Sequence, residues 1–535
     1  RSMDYLSDQA VAVLRIFGDN KTKRVNTFEG PEQEYFIIDA PAFEKRKDLV
    51  YTGRTLFGAN APKGQEMEDH YFGPIREKIV SFMADVNEEL WKLGIPAKTE
   101  HNEVAPSQHE LANIFAQTNL SADQNQIVML TLKKVAKKHG FICLLAEKPF
   151  SGINGSGKHN NWSINKDDGT NLLKPGDKPK DNTQFLVFLT AVIKACDEFA
   201  GILRESVATY GNDFRLGANE APPAIVSIFL GDELEEVVDS IVETNPPKKA
   251  KCDLSLVTGA KTLPTLSKDT TDRNRTSPFA FTGNRFEFRM VGSEQNIAEP
   301  NTVLNTIVGY ELKNFVDFVS SKKDKTAAIN EWIKTGLSEH KRIIFNGDGY
   351  SKAWLEEAEK RGLPNLKTTV EATDTLSDDK VISLFKDSKV LSPVELKSRA
   401  SIKYTNYANS VLIDAKTMSH MAHKQYLPSI NHYLNTLANE VTTFKNLGNK
   451  IPLYASETME KISFYLDQAT TALDSLDEKI EGTRGFVGRD LAAYCEKKLV
   501  PLMHELRSPI DALELLVAKE DWPVPSYGDL LFHTI

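Results

Sequence analysis

The spacing of apolar residues changes character near residue 305, and this constrains the fold more than any other feature. From about residue 28 to 305, short strand-like runs are broken by Gly, Pro and Asn and interleaved with a few helical stretches. Beyond that point apolar residues recur at helical spacing. Ile462, Leu466, Ala469, Leu473, Leu476 and Ile480 are separated alternately by four and three positions, which lines one stripe of a helix. The stripe lasts under three heptads, so it suits an intramolecular helical hairpin or bundle better than a long coiled coil. A further helix is expected from Gly488 to about Leu506, stopping near Arg507-Ser508-Pro509. The two textures together predict an α+β fold followed by a mainly helical region.

Composition narrows the function. The 535 residues are 41% hydrophobic and carry a formal charge of −9, spread along the chain, which argues against a nucleic-acid groove as the main purpose. The longest apolar runs are short pieces such as Phe141-Ile142-Cys143-Leu144-Leu145-Ala146, far below the roughly 18–20 residues that span a bilayer, so no membrane partner is expected. Cys143, Cys196, Cys252 and Cys495 form no CxxC pair, and no signal-like segment opens the chain; a reducing cytoplasm with buried thiols is expected. Two polar stretches, residues 166–183 and about 244–275, read as long surface loops.

Several short motifs carry candidate chemistry. In Gly30-Pro31-Glu32-Gln33-Glu34-Tyr35-Phe36-Ile37-Ile38-Asp39, a period of two puts Glu32 and Glu34 on one face with Phe36 and Ile38. Two carboxylates on such a face resist burial unless a cation lies beside them, although a strand whose first half protrudes into water would look the same. In His101-Asn102-Glu103-Val104-Ala105-Pro106-Ser107-Gln108-His109-Glu110, a tight connection could return Glu110 toward Glu103; a solvated hairpin tip is the alternative. Gly152 to Lys158 satisfies GxxxxGK, yet His159 stands where a P-loop needs Ser or Thr, and the following residues alternate like a strand, so a P-loop is rejected. In Gly283-Asn284-Arg285-Phe286-Glu287-Phe288-Arg289, alternation sends Arg285, Glu287 and Arg289 to one side and the two Phe to the other. That charged side either faces solvent or lines a cavity in which Glu holds metal and Arg neutralises phosphate. Arg215 and Glu220 sit on a Gly-containing loop, and Arg273 and Arg275 end another. Carboxylates with one histidine and several arginines suit magnesium or manganese plus phosphate; zinc would prefer more nitrogen and sulfur. His420 and His423 could share a helical face, but no third ligand lies nearby in sequence.

These motifs, in this order, resemble glutamine synthetase: GPEQEYFIID its first metal-ligand strand, EVAPSQHE its second carboxylate pair, NGSGKH its glutamate-binding turn with the metal histidine, and NRFEFR its arginine-glutamate-arginine strand. The match covers about residues 28–305, and the helical remainder, with KTTVEA at 367–372, is similar to the type III class. The resemblance implies an antiparallel curved sheet of half-barrel type with helices. It also implies a catalytic domain at 28–330, a helical C-terminal region at 331–535 and an N-terminal helical segment at 1–27. It further implies ATP-dependent ligation of ammonia to glutamate, one metal (Mg2+ or Mn2+) on Glu34, Glu103 and Glu110, and a second on Glu32, His159 and Glu287. Asn154, Gly155, Arg215 and Arg289 would bind glutamate; Ser163, Arg275 and Arg285 would bind the nucleotide, with both arginines on its phosphates. Glu220 would shield the acyl phosphate and take a proton from ammonium. Substrates would be glutamate, ammonium and ATP, and the assembly a ring-shaped homo-oligomer, a dodecamer, in the cytoplasm. Asn161 and Ala280 depart from a histidine and an arginine of the family. The 27 residues before Phe28 are too few for the family's β-grasp domain and read as a helix, which keeps open a γ-glutamyl amide ligase or an incomplete ATP- and metal-binding scaffold.

Overall fold

The structure is a computed structural model that describes residues 1–219, 221–243 and 275–532, together with the backbone of the strand pair Ser255–Leu256 and Leu266–Ser267. In chain order the elements that position the site are α1 (Ser2–Ile16), β1 (Val25–Asp39), α2 (Glu77–Lys92), β2 (Ala97–Asn102), β3 (Gln108–Asn113), α3 (Thr118–Lys138), β4 (Phe141–Leu144), β5 (Gly157–Lys166), α4 (Thr183–Glu198), α5 (Tyr210–Arg215), β6 (Ile228–Phe229), β7 (Phe279–Phe281), β8 (Phe286–Gly292) and α6 (Ala298–Ser320). The C-terminal region adds α7 (Pro393–Met421), α8 (Leu427–Asn446), α9 (Leu453–Glu481), α10 (Gly488–Tyr494) and α11 (Val500–Glu514).

One sheet runs in the order β2-β3-β1-β5-β8-β7-β6, with β4 and the two-residue strand Ala116–Gln117 also on β1. These pairings are antiparallel except β7 with β6, which is parallel. The long β1 is its spine, and alternation along it builds two layers. Tyr35 and Ile37 go to one side, where Phe82, Val86, Val128 and Leu132 of α2 and α3 cover them. Phe36 and Ile38 go to the other, against Leu144, Phe150 and Tyr527. Each such fully buried side chain is worth about 1.5–3 kcal/mol, so a one-residue slip of β1 would forfeit both layers. Phe286 and Phe288 are likewise wholly buried.

The expected N-terminal helix is α1, which buries Leu6, Ala10, Val13 and Leu14. The stripe on α9 is also found: Ile462, Ala469, Leu473 and Leu476 are buried, and Leu466 and Ile480 pack against the same core. The helix expected to stop near Pro509 instead continues as α11 to Glu514, with Pro509 inside it. Met503, Leu506, Pro509, Ile510 and Leu513 are all buried there, which offsets the roughly 3 kcal/mol that an interior proline costs. Two wide π turns, Ala422–Tyr426 and Cys495–Leu499, each precede a proline, Pro428 and Pro501. A wider turn accommodates a ring that would otherwise clash with the preceding carbonyl, so α7 runs into α8 and α10 into α11 without a break. Of the two expected loops, 166–183 is found between the end of β5 at Lys166 and the start of α4 at Thr183, non-helical over 167–182 apart from the 3-10 turn Pro179–Asp181. The other lies almost wholly outside the described residues.

Candidate active site

Strand register gathers the charged residues. Across β2, β3 and β1 the paired positions are His101 with Glu110 and Glu110 with Glu34. Across β1, β5 and β8 they are Glu32 with His159 and Asn161 with Glu287. The connection Glu103–Ser107 is tight: Ser107 takes a left-handed φ of 62°, and the Glu103 amide donates to the Gln108 carbonyl at 2.9 Å, which folds Glu103 back toward Glu110. Apart from Glu103 on this connection, each side chain thus projects from a strand whose opposite face is locked into the core.

All six candidate metal ligands converge. His159 Nδ1 lies 2.9 Å from Glu32 Oε2 and 3.0 Å from Glu287 Oε1, and its Nε2 lies 3.5 Å from Glu34 Oε1. Glu287 is only 3% exposed and Arg289 is buried beside it, so at these two positions the charged side of β8 is turned into the protein and is not a solvated sheet face. Ligand atoms of Glu32, Glu110 and His159 lie within 4.8 Å of one another, as do those of His101, Glu103 and Glu110. His101 is a residue that motif reading passed over: its Nε2 sits 3.0 Å from Glu110 Oε1 and its Nδ1 3.6 Å from Glu103 Oε1. The signal was its place opposite Glu110, which only the strand register reveals.

The electrostatics show a surplus of negative charge. Burial, with the charges of Glu34 and Glu110, pushes Glu103 up to about 8. The hydrogen bond with Glu110 raises His101 to about 9. At His159, burial and Arg289 oppose the imidazolium, but Glu287 and Glu32 outweigh them and hold it well above the ordinary value. Burial raises Glu110, while at Glu32 the hydrogen bond from His159 overcomes burial and lowers it. A crowd of carboxylate oxygens with imidazole nitrogen fits a hard divalent cation, which would supply the positive charge that protonated histidines now supply.

The remaining candidates surround this cluster. Asn154 is tied to Gln65, whose Nε2 donates to its Oδ1 at 2.8 Å, and the Gly155 carbonyl accepts from Gln108 Nε2 at 3.0 Å. Gly155 cannot be larger: an added Cβ would collide with the Glu147 carbonyl. Arg289 is buried, and among the described residues its Nε has no hydrogen-bond partner. Arg215 is buried behind the turn, and its guanidinium donates to the carbonyls of Arg289, Met290 and Val291, clamping α5 to β8. Arg285 is half-buried, with Nε donating to Thr282 Oγ1 at 3.3 Å; Ser163 is half-buried on β5. Arg275 is exposed, and its Nη2 reaches Tyr71 Oη at 3.2 Å. Asn161 donates to Glu32 Oε1 at 3.0 Å, so it steadies a carboxylate of the candidate metal cluster. Glu220 lies outside the described residues. His423 pairs with Asp477 at 2.8 Å, and among the described residues neither it nor His420 belongs to a three-ligand group.

Comparison with known proteins agrees with this geometry. Residues 13–227 match the glutamine synthetase catalytic domain and residues 328–445 the glutamine synthetase C-terminal domain. A type-3 glutamine synthetase of Dictyostelium discoideum is 44% identical over 99% of this chain and 74% of its own length. Glutamine synthetases of Butyrivibrio fibrisolvens and of Bacteroides fragilis (strain YCH46) are 46% and 39% identical, over 99% and 98% of this chain and 76% and 73% of their own. A solved structure titled "Apo GmaS without ligand" aligns at a TM-score of 0.44 and 17% identity, over 75% of this chain and 73% of that one. With its catalytic motifs on one sheet face and this likeness along nearly its whole length, the chain belongs to the glutamine synthetase family.

Proposed function

We propose that the chain makes glutamine from L-glutamate, ammonia and ATP through γ-glutamyl phosphate, and the observation that carries this reading is the convergence of Glu32, Glu34, Glu103, Glu110, His159 and Glu287. The family uses ATP and divalent metals; here we assign Mg2+ or Mn2+, because the donors are mostly hard carboxylate oxygens. Bound there, such ions would supply charge neutralisation for the transferring phosphoryl group. Glu34, Glu103 and Glu110 would hold one, and Glu32, His159 and Glu287 the other, with His101 bracing Glu103 and Glu110.

The other residues bind, orient and exclude water. Asn154 and Gly155 present polar groups to glutamate, and the Arg289 guanidinium, whose Nε has no partner among the described residues, takes a carboxylate of it. Arg215 serves glutamate from behind, by holding the strand that carries Arg289. Arg275 and Arg285 take the ATP phosphates and Ser163 the nucleotide. The γ-carboxylate oxygen bonds to the γ-phosphorus as the bond to ADP breaks. Ammonium gives a proton to Glu220, ammonia bonds to the activated carbonyl carbon, and phosphate leaves. Excluding water at this stage keeps ATP from being spent on hydrolysis.

We divide the chain into an N-terminal helical segment (1–27), a catalytic domain (28–330) and a helical region (331–535). Self-association into a ring, a dodecamer, is supported by Trp91, Phe115, Leu120 and Leu130, large apolar residues exposed near the β2 edge of the sheet and on α3. A cytoplasmic location is supported by the buried, unpaired thiols of Cys143, Cys196 and Cys495; among the described residues no helix is long and apolar enough to cross a membrane. The test is product analysis with ATP, Mg2+, glutamate and ammonium. Equal amounts of glutamine, ADP and phosphate are expected; ADP and phosphate without glutamine would overturn the reading.

A further inference from the structure

The segment 58–73 enters no sequence motif, yet it runs alongside the candidate site and is tied down at both ends. At its start the Gly58 amide donates to Asp511 Oδ1 at 2.6 Å and the Ala59 amide to Glu514 Oε2 at 3.0 Å, both acceptors on α11. Near its end His70 Nδ1 lies 2.6 Å from the Glu103 carbonyl, and Asn102 Nδ2 donates to the His70 carbonyl at 3.1 Å. Between these anchors Gln65 is half-buried against the glutamate turn, and its own carbonyl accepts the Glu68 amide at 3.0 Å. A side chain carried on a segment held in this way can set the geometry of the group it touches.

What Gln65 touches is Asn154, and it does so twice. The Asn154 backbone amide donates to Gln65 Oε1 at 3.0 Å, and Gln65 Nε2 donates to Asn154 Oδ1 at 2.8 Å. Together the two bonds fix the orientation of both side-chain amides. A backbone N–H can only donate, so the Gln65 atom facing it must be oxygen. The other terminal atom of Gln65 is then nitrogen, which demands an acceptor, so the Asn154 atom facing it must be oxygen as well. Turning either amide by half a revolution would set donor against donor. Asn154 is only 7% exposed, so water is poorly placed to repair such a clash. With Oδ1 committed to Gln65, Nδ2 is the end of the Asn154 side chain that faces the rest of the site.

We propose that Gln65 is a positioning residue for glutamate, holding the Asn154 side chain with its N–H donors toward a substrate carboxylate and its carbonyl oxygen away from it. A carboxylate accepts hydrogen bonds and offers none, so only this orientation of the Asn154 amide attracts it; the reverse sets oxygen against oxygen. Gln65 acts on the substrate through Asn154 alone and belongs to neither three-ligand group of the carboxylate cluster. Its loss therefore shows in glutamate binding and leaves ATP alone. The assignment rests on the proposed reading of Asn154 as a glutamate contact and goes beyond it by naming the residue that orients that contact.

Gln65→Glu tests this, being close to isosteric but unable to donate. Its carboxylate still accepts the Asn154 backbone amide, but it now requires a donor from the Asn154 side chain, which turns Oδ1 into the site. Glutamate is titrated calorimetrically into the protein with Mg2+ and a non-hydrolysable ATP analogue, and KM is measured for both substrates in turnover. Kd and KM for glutamate should rise by about tenfold or more while KM for ATP moves by less than about twofold. Gln65→Leu, which frees the amide to stand either way round, should give a smaller rise of the same kind. A double-mutant cycle separates orientation from the added charge: in an Asn154→Ala background, Gln65→Glu should change glutamate Kd by less than about twofold. The full rise in that background, or glutamate affinity untouched by both Gln65 variants, overturns the proposal. A wild-type chain that binds glutamate yet makes no glutamine would refute the ligase reading, and the calorimetric cycle would still decide the role of Gln65. A wild-type chain that binds no glutamate would overturn both.

Discussion

Glu311 on α6 allows a quantitative test of how burial sets charge in this protein. Its side chain has no exposed surface, among the described residues its Oε2 has no hydrogen-bond partner, and Lys194 Nζ stands 3.7 Å away. Burial, reinforced by Glu198, pushes its pKa up to about 7, against the pull of Lys194, Asn314 and His340. In the unfolded chain it titrates near 4.5. Between these values the folded state binds more protons than the unfolded one, so stability is full below about 4.5 and is lost as pH rises to about 7. The displacement of about 2.5 units is worth about 3 kcal/mol, at 1.36 kcal/mol per unit, and that loss stays constant at higher pH. Glu311→Gln, isosteric and uncharged, removes it. Urea unfolding followed by circular dichroism at pH 5 and pH 8 should show the variant near wild type at the lower pH and more stable at the higher, by up to about 3 kcal/mol. Equal stability of the two proteins at both values, or a variant destabilised at pH 8, would refute the reasoning.

Two further substitutions probe the framework. Asp414→Ala strands Arg54, which is 13% exposed and bridges the first half of the chain to α7, so it should destabilise by about 3–5 kcal/mol in urea unfolding; a loss under 1 kcal/mol would assign the pair a surface role. Gly155→Ala forces the turn away from the Glu147 carbonyl, and steady-state kinetics should show kcat/KM for glutamate falling by about a hundredfold with KM for ATP little changed.

The strands were legible because alternation and charge coincide on them. Glu32 and Glu34 ahead of Phe36 and Ile38, and Glu287 between two phenylalanines, mark strands with an apolar side to bury, but the same pattern suits a charged side in water; the burial of Glu34 and Glu287 decides it. Distance along the chain hid the rest. His101 joins the cluster through pairing opposite Glu110, a long-range register that no local pattern encodes. The Arg215 guanidinium meets the β8 carbonyls, and that too is set by how α5 packs on the sheet. Pro509 misled in the other direction: as a local breaker it predicts a helix end, but burial along α11 outweighs the lost hydrogen bond. The wide turns before Pro428 and Pro501 are the same competition resolved by geometry.

The central claim is that side chains from five strand and loop segments share paired divalent ions. Mn2+ titration followed by electron paramagnetic resonance tests it most directly, because bound ions leave the free-ion spectrum. The account predicts about two tightly held ions per chain, with about one lost in Glu287→Gln and about one in Glu103→Gln. Wild-type protein that leaves all the manganese free, or variants that bind it as wild type does, would contradict the account.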